Sequence, residues 1–206
     1  MPKDRYHHGD VQRALITSAT ALIEARGLEG FSLARASRDI GVTHAAAYRY
    51  FDGKEDLLTA VAEAGMIALR DALVSAWEAP GTPRGEYLAS GRAVVAFARA
   101  HPRWYALMMG GLRSDDAESP ASAPHSAFSH LVQRIRCWQA QGWLAAGDPV
   151  DHALLLWATA HGLASLVASG RLTMEPEALS DQLLLALHQG IAPRQPGHRA
   201  GHRGTA

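Results

Sequence analysis

The stretch that decides the fold is residues 31–58, FSLARASRDIGVTHAAAYRYFDGKEDLL. It contains two short segments with helical spacing, Ser32–Asp39 and Thr43–Tyr50, and each opens with a hydroxyl side chain that can cap a helix N-terminus. Between them lies Ile40-Gly41-Val42, which suits a tight turn because glycine adopts the backbone angles that such turns need. The stretch therefore predicts a helix-turn-helix.

The rest of the chain shows helical periodicity as well, and no apolar-polar alternation typical of strands occurs. Asp10 is a plausible N-cap for a first helix that ends at Arg26, and Asp52 with Glu55 three residues later predicts another helix start. The pattern favours an all-α protein of about nine helices. Apolar residues of the last helix are expected to point inward: Leu179, Leu183, Leu184 and Leu187.

Composition sets limits on the class of protein. The chain has 206 residues, 48% of them hydrophobic and 19% charged, which is enough for one large or two small domains. Its 20 bases balance 20 acids, and the first 60 residues carry eight of each, so net charge alone indicates no polyanionic partner. The single cysteine, Cys137, excludes an intramolecular disulfide and fits a reducing compartment.

One segment raises the question of a membrane span. Residues 153–170, ALLLWATAHGLASLVASG, carry no formal charge and just reach the length required. Thr159, His161 and two serines make a poor span, and a helix buried in a globular domain has the same composition. We therefore expect a core helix and no membrane partner. The polar start, MPKDRYHHGD, has no secretory signal and predicts a cytoplasmic protein.

The 31–58 stretch resembles the DNA-binding domain of the TetR family of one-component transcriptional regulators. The resemblance covers about residues 10–61 and is carried by the helix-turn-helix, Tyr48, the Tyr50-Phe51 pair, Lys54-Glu55 and two leucines. The segment YHHGD near the N-terminus, together with Trp157, His161 and Gly162, is similar to the branch whose C-terminal domain is named for a Trp-His-Gly motif. Relatives often have Thr-Leu where this chain has Ala46-Ala47, so the operator sequence does not carry over.

The resemblance implies a homodimeric, ligand-responsive repressor that binds a palindromic operator. It implies an N-terminal arm and helix-turn-helix domain over residues 1–56 and a helical regulatory and dimerisation domain over 57–192. Residues 193–206 lack core residues and are expected to be a disordered tail, and residues 111–124 a mobile loop.

Contacts with DNA are expected mainly from the second helix of the helix-turn-helix, since the major groove admits one α-helix. Three alanines keep that helix slim, so that His44 and Arg49 protrude toward base edges, unless both are merely solvent-facing. Thr43 and Lys54 stand at helix N-termini, which favour phosphate contacts. The predicted DNA-contacting residues are Ser32, Thr43, His44, Ala45, Ala46, Tyr48, Arg49, Tyr50 and Lys54. The arm with Lys3, Arg5, His7 and His8 is a further candidate, and the two tyrosines alternatively only pack in the core.

The C-terminal half offers residues for a ligand pocket and a dimer interface. Pockets between helices are mostly apolar and aromatic with a few polar groups. On that basis the candidates for contact with an unknown small-molecule effector are Trp104, Tyr105, Met108, Met109, Trp157 and His161. The alternative is that these side chains are plain core. A dimer through the last two long helices is expected to use Leu155, Leu166, Leu183, Leu184 and Leu187.

An enzyme finds little support in the sequence. The eleven histidines include no HExxH, and the chain has no GxSxG, Walker or GxGxxG motif, so we expect no catalytic residue, no metal site and no cofactor. Two alternatives stay open, a small all-α transferase and an interaction protein that uses the helix-turn-helix for protein contacts.

Overall fold

The computed structural model describes residues 8–79, 81–110, 126–172 and 175–191. These residues form nine α-helices and no strand, which confirms the all-α prediction. The helices are α1 (His8–Arg26), α2 (Leu33–Asp39), α3 (His44–Ala47), α4 (Lys54–Glu78), α5 (Pro83–Ala100), α6 (Pro102–Gly110), α7 (Ala127–Ala140), α8 (Pro149–Ala168) and α9 (Pro176–Ile191). The loop predicted at 111–124, the tail at 193–206 and the residues of the arm before His8 lie outside the described residues.

The caps of the helix-turn-helix are formed as predicted. The Ser32 hydroxyl accepts a hydrogen bond from the backbone N–H of Arg35 at 3.2 Å, and the Thr43 hydroxyl accepts one from Ala46 at the same distance. Gly41 in the connecting turn has φ +74°, in the left-handed region that favours glycine. The capping residues and this glycine therefore set where α2 ends and α3 begins.

Two predicted N-caps are wrong, although both helices begin within two residues of the predicted positions. Helix α1 begins at His8, so Asp10 lies inside it and is not its N-cap. Helix α4 is preceded by Gly53, with no side-chain cap, in place of the predicted cap Asp52. The backbone N–H of Asp52 instead donates to the carboxylate of Asp56 at 2.9 Å, because that side chain reaches back over the first turn.

The second helix of the helix-turn-helix is shorter than predicted. Regular α-helix covers only His44–Ala47, and the chain continues to Tyr50 in tighter turns. The N–H of Tyr50 bonds the carbonyl of Ala47, three residues back, at 3.0 Å. This tightening brings Phe51 into the core, where it is 3% exposed.

Two hydrophobic clusters fill the interior. The first is built from α1 to α3, the start of α4 and Leu107 of α6, and the second from the rest of α4 and the later helices. Helix α4 contributes Leu57 and Val61 to the first cluster and Leu69 and Leu73 to the second. A single long helix therefore runs through both cores. The division of the chain at residue 56 stays a prediction.

Helix α8 belongs to the second core. Among the described residues, it is the one helix long and apolar enough for a membrane span, with a mean hydropathy of 1.2. Leu156, Ala160 and Ala164 are buried against the other helices of the bundle. Burial accounts for the apolar residues of this face, whereas Leu154, Leu155 and Leu166 of the same helix are exposed.

Helices α5 and α9 approach closely at Gly91. A Cβ atom at this position would lie 2.5 Å from Leu184 and 2.6 Å from the hydroxyl of Ser180, so only glycine permits this approach. Leu184 is thus buried within its own chain, and it cannot belong to an outer interface as expected. The prediction that Leu183 points inward is also wrong, since Leu183 is 40% exposed one position further around the helix.

Candidate nucleic-acid interface and effector pocket

The predicted DNA-contacting residues lie mostly on the surface. Seven are exposed: Ser32, Thr43, His44, Ala45, Tyr48, Arg49 and Lys54. The other two, Ala46 and Tyr50, are half-buried, and Tyr50 packs against the first core. The structure therefore brings most of this set together on one exposed segment, with α4 beginning beside it.

The outer face of α3 is held in place from beneath. Ala47 is fully buried against the first core, whereas Ala45 and Arg49 are exposed. The rings of His44 and Tyr48 meet edge to face with their centroids 4.8 Å apart. This contact holds the imidazole of His44 and the phenol of Tyr48 side by side on the surface. The side chain of Arg49 is exposed next to them.

Lys54 is exposed at the start of α4 but is not fully extended. Its ammonium donates to the carbonyl of Leu28 at 3.3 Å and lies 5.8 Å from the centroid of the Phe31 ring. An ammonium group has three donors, so this bond leaves donors for another acceptor. The contact positions the charge of Lys54 beside the N-terminus of α2.

Helix α6 connects the two halves of the chain through Trp104. The backbone N–H of Trp104 donates to the Glu24 carboxylate at 2.7 Å, and Arg103 donates to the Glu24 carbonyl at 2.6 Å. The indole N–H donates to the carbonyl of Val61 in α4 at 2.8 Å. These bonds fasten α6 to both α1 and α4. No sequence pattern indicates a role for Glu24, because it lies on the polar side of an amphipathic helix.

A narrow cavity lies inside the second core. Its walls are the side chains of Leu73, Ser90, Val94, Leu131, Leu156, Trp157, Ala160 and His161. The space between them is about 220 Å³ including the part continuous with solvent, and about 10 Å³ is open to the centre of a water molecule. As it stands, the cavity therefore has room for about one water molecule, and a larger occupant requires its walls to move apart.

The predicted effector contacts divide into two groups. Trp157 and His161 line the cavity, and Tyr105 contacts His161. Trp104, Met108 and Met109 are not among the lining residues. The apolar lining residues of α4, α5 and α7 escaped the sequence analysis, because nothing distinguishes such a residue from any other core residue until the helices are placed.

His161 has one bonded and one unbonded ring nitrogen. Its Nδ1 and the Tyr105 hydroxyl are 2.6 Å apart, and its Nε2 is buried with no hydrogen-bond partner. Burial lowers the pKa of His161 to about 4, so the imidazole is neutral near pH 7. The ring lies against that of Trp157, with centroids 4.0 Å apart. The cavity thus contains one neutral, unsatisfied polar group.

An exposed apolar strip runs along the outer side of α8 and α9. Leu154, Leu155 and Leu166 of α8 are 50%, 45% and 44% exposed, and Leu183 of α9 is 40% exposed. Large apolar side chains grouped on neighbouring helices are typical of a protein–protein interface. Within the part of the chain that the structure describes, no three metal-ligating side chains are grouped in a metal site.

A short exposed helix after a glycine turn, supported by a helical bundle with an internal cavity, defines the class of helix-turn-helix transcriptional regulators. Two family models match the chain: "Bacterial regulatory proteins, tetR family" over residues 15–61 and "Tetracyclin repressor-like, C-terminal domain" over residues 87–187. The chain belongs to the TetR family of bacterial regulators, and it is a DNA-binding transcriptional regulator.

Individual relatives agree with this assignment. The HTH-type transcriptional regulator BetI of Rhizobium meliloti (strain 1021) is 36% identical over 73 residues, which make up 35% of this chain and 36% of BetI. The chain therefore matches only about a third of the length of this curated relative.

Solved structures match over nearly the whole chain. A protein of unknown function from Rhodococcus sp. RHA1 is 34% identical with a TM-score of 0.79, covering 93% of this chain and 100% of that one. A TetR-family transcriptional regulator from Pectobacterium atrosepticum has a TM-score of 0.67 at 19% identity, covering 92% and 99%. At that identity the second match shows a common fold.

Proposed function

We propose that this protein is a homodimeric repressor that binds a palindromic operator and releases it when a small molecule occupies the cavity in the second core. The observation that carries the DNA-binding part is the exposed α3 face, where His44 and Arg49 project from a helix whose buried Ala47 fixes it to the core. Arg49 is suited to a bidentate contact with guanine and His44 to a single base-edge contact. The Trp-His-Gly branch and a cytoplasmic location are part of this proposal.

Phosphate contacts are assigned to the helix starts around α3. Thr43 and Ser32 are the exposed N-caps of α3 and α2. The unpaired backbone N–H groups in the first turns of these helices attract phosphate oxygens. Lys54 adds a full positive charge at the start of α4. Tyr48 is 50% exposed, which leaves its hydroxyl able to reach a phosphate.

The dimer in this proposal is formed by the apolar strip on α8 and α9. Two copies related by a twofold axis would bury Leu155, Leu166 and Leu183 of each chain in a four-helix arrangement. Leu184 is left out because it already packs on Gly91. The two α3 helices would then bind half-sites about 34 Å apart, or a multiple of that distance.

Ligand response is assigned to α6, which contacts both the cavity and the first core. Tyr105 bonds His161, and the adjacent Trp104 bonds Glu24 and Val61. An occupant that widens the cavity displaces His161, and the displacement reaches α1 and α4 through this one helix. The ligand weakens DNA binding only by the difference between its affinities for the two conformations.

The test compares two alanine variants with a control. Arg49→Ala should weaken operator binding by about 1 to 3 kcal/mol and relax the preference at one base position. Lys54→Ala should weaken binding to all duplexes alike and lower the slope of log affinity against log salt by about one. Arg136→Ala, an exposed arginine of α7, should change neither.

The operator comes from selection of bound duplexes out of a random pool, and fluorescence anisotropy at several salt concentrations measures the affinities. A selected site without twofold symmetry would contradict the dimeric model. Equal effects of the first two variants on specific and random DNA would contradict the residue roles. If the chain selects no duplex, the transferase and the protein-interaction alternatives replace the proposal.

A further inference from the structure

The walls of the cavity carry no charged side chain. Six of the eight lining residues are apolar in character, and the two others are Ser90 and His161. Ser90 is already satisfied, since its hydroxyl accepts from the indole N–H of Trp77 at 2.7 Å and donates to the carbonyl of Glu86 at 2.9 Å. Of the side chains in the lining, His161 has a buried nitrogen, Nε2, with no hydrogen-bond partner.

The orphaned nitrogen defines what an occupant must supply. His161 is 7% exposed, and an unpaired polar atom at such a depth is unfavourable until a partner satisfies it. A neutral imidazole presents either an N–H or a lone pair at Nε2, depending on which nitrogen carries the proton. A hydroxyl group can donate and accept, so it satisfies both forms.

A charged occupant does not fit this cavity. An ion moved into an apolar site loses its hydration, and that cost is recovered only where an opposite charge or several hydrogen bonds meet it. The lining includes no charged side chain to meet such an ion, and Ser90 is already hydrogen-bonded within the protein. The space as it stands holds about one water molecule, so the walls must move apart to admit an organic molecule.

We infer that the effector is an uncharged, mainly apolar molecule whose hydroxyl group hydrogen-bonds Nε2 of His161, and that the walls of the cavity move apart to admit it. This inference rests on the proposed function for its regulatory meaning, but the binding itself is measurable without DNA. His161 would discriminate between ligands through this hydrogen bond.

Three matched probes test the chemistry: benzyl alcohol, toluene and benzoate. They share one ring and differ in carrying a hydroxyl group, no polar group or a negative charge. Calorimetric titration of the full chain at pH 7.5 should give tighter binding of benzyl alcohol than of toluene, by about threefold to tenfold for one hydrogen bond. Benzoate should bind at least tenfold more weakly than benzyl alcohol.

The variant His161→Phe keeps an aromatic ring beside Trp157 and removes both nitrogens. It should lose the preference for benzyl alcohol over toluene, whereas Thr159→Val on the same helix should keep it. The probe series on the unsubstituted chain decides the matter even if the His161 variant fails to fold. Benzoate binding as tightly as benzyl alcohol, equal binding of benzyl alcohol and toluene, or no binding of any probe at 10 mM would each overturn the inference.

A parallel measurement separates this inference from the proposed function. Anisotropy with the selected operator reports whether benzyl alcohol releases DNA. Selective binding of benzyl alcohol without DNA release supports the ligand chemistry and contradicts the proposed ligand response. Release by benzoate in preference to benzyl alcohol overturns the ligand chemistry and leaves the ligand response standing.

Discussion

Acid should destabilise this protein through His161. Burial lowers the pKa of this residue from 6.5 to about 4. Between pH 6.5 and pH 4, His161 is therefore protonated in the unfolded chain and neutral in the folded chain. Its effect on the free energy of unfolding is therefore absent well above pH 6.5 and grows as the pH falls toward 4. Two and a half pH units at about 1.4 kcal/mol each set a limit of about 3 to 4 kcal/mol, of which about 3 kcal/mol is reached at pH 4.

The measurement is urea denaturation at pH 7.5, 6, 5 and 4, at one protein concentration because dimerisation would couple to unfolding. Carboxylates and other histidines titrate in the same range, so the quantity to compare is the difference between the chain and its His161→Phe variant. That difference should change by about 3 kcal/mol from pH 7.5 to pH 4, with the chain losing more stability than the variant. Curves that run parallel within about 0.5 kcal/mol would refute the reasoning, since they would mean that His161 is protonated in the folded state or is not buried.

Two further predictions concern helix packing. A Cβ atom at Gly65 would lie 2.4 Å from the sulfur of Met108 and 2.9 Å from the indole nitrogen of Trp104, so Gly65→Ala should lower the free energy of unfolding by about 1 to 3 kcal/mol in urea denaturation; an unchanged midpoint would show that α6 moves aside freely. Leu166→Asp should convert the dimer to monomer in sedimentation experiments. Ile67→Asp should not, although it also replaces an exposed apolar side chain with an acid, since Ile67 is 51% exposed on α4 and outside the strip. A dimer that survives the first change would place the interface elsewhere.

The helix-turn-helix was predictable because its signals are local. Thr43 and Ser32 cap helices by bonding backbone groups three residues away, and Gly41 supplies a turn geometry that other residues rarely adopt. The cap assigned to Asp52 was wrong because the Asp56 carboxylate accepts from the backbone N–H of Asp52, the group that Glu55 would bond in a capping box. Local spacing alone does not decide between two such acids.

The cavity was less predictable because it depends on where separate helices meet. Trp157 and His161 were identifiable as aromatic and polar groups on an apolar helix. Leu73, Val94 and Leu131 become wall residues only when α4, α5 and α7 converge. The link from Glu24 to Trp104 spans 80 positions in sequence, and no periodic pattern reports a contact of that range.

The absence of a side chain at Gly65 lets the Trp104 indole reach the carbonyl of Val61, and this hydrogen bond joins α6 to α4. Lys54 stands eleven residues from Gly65, about 16 Å away at the rise of an α-helix. A rotation of α4 by only about 5° about this hydrogen bond would move its N-terminus by about 1.4 Å, which is enough to break a hydrogen bond to a phosphate. In the proposed ligand response, a displacement of this one indole would therefore move the surface that we assign to the duplex.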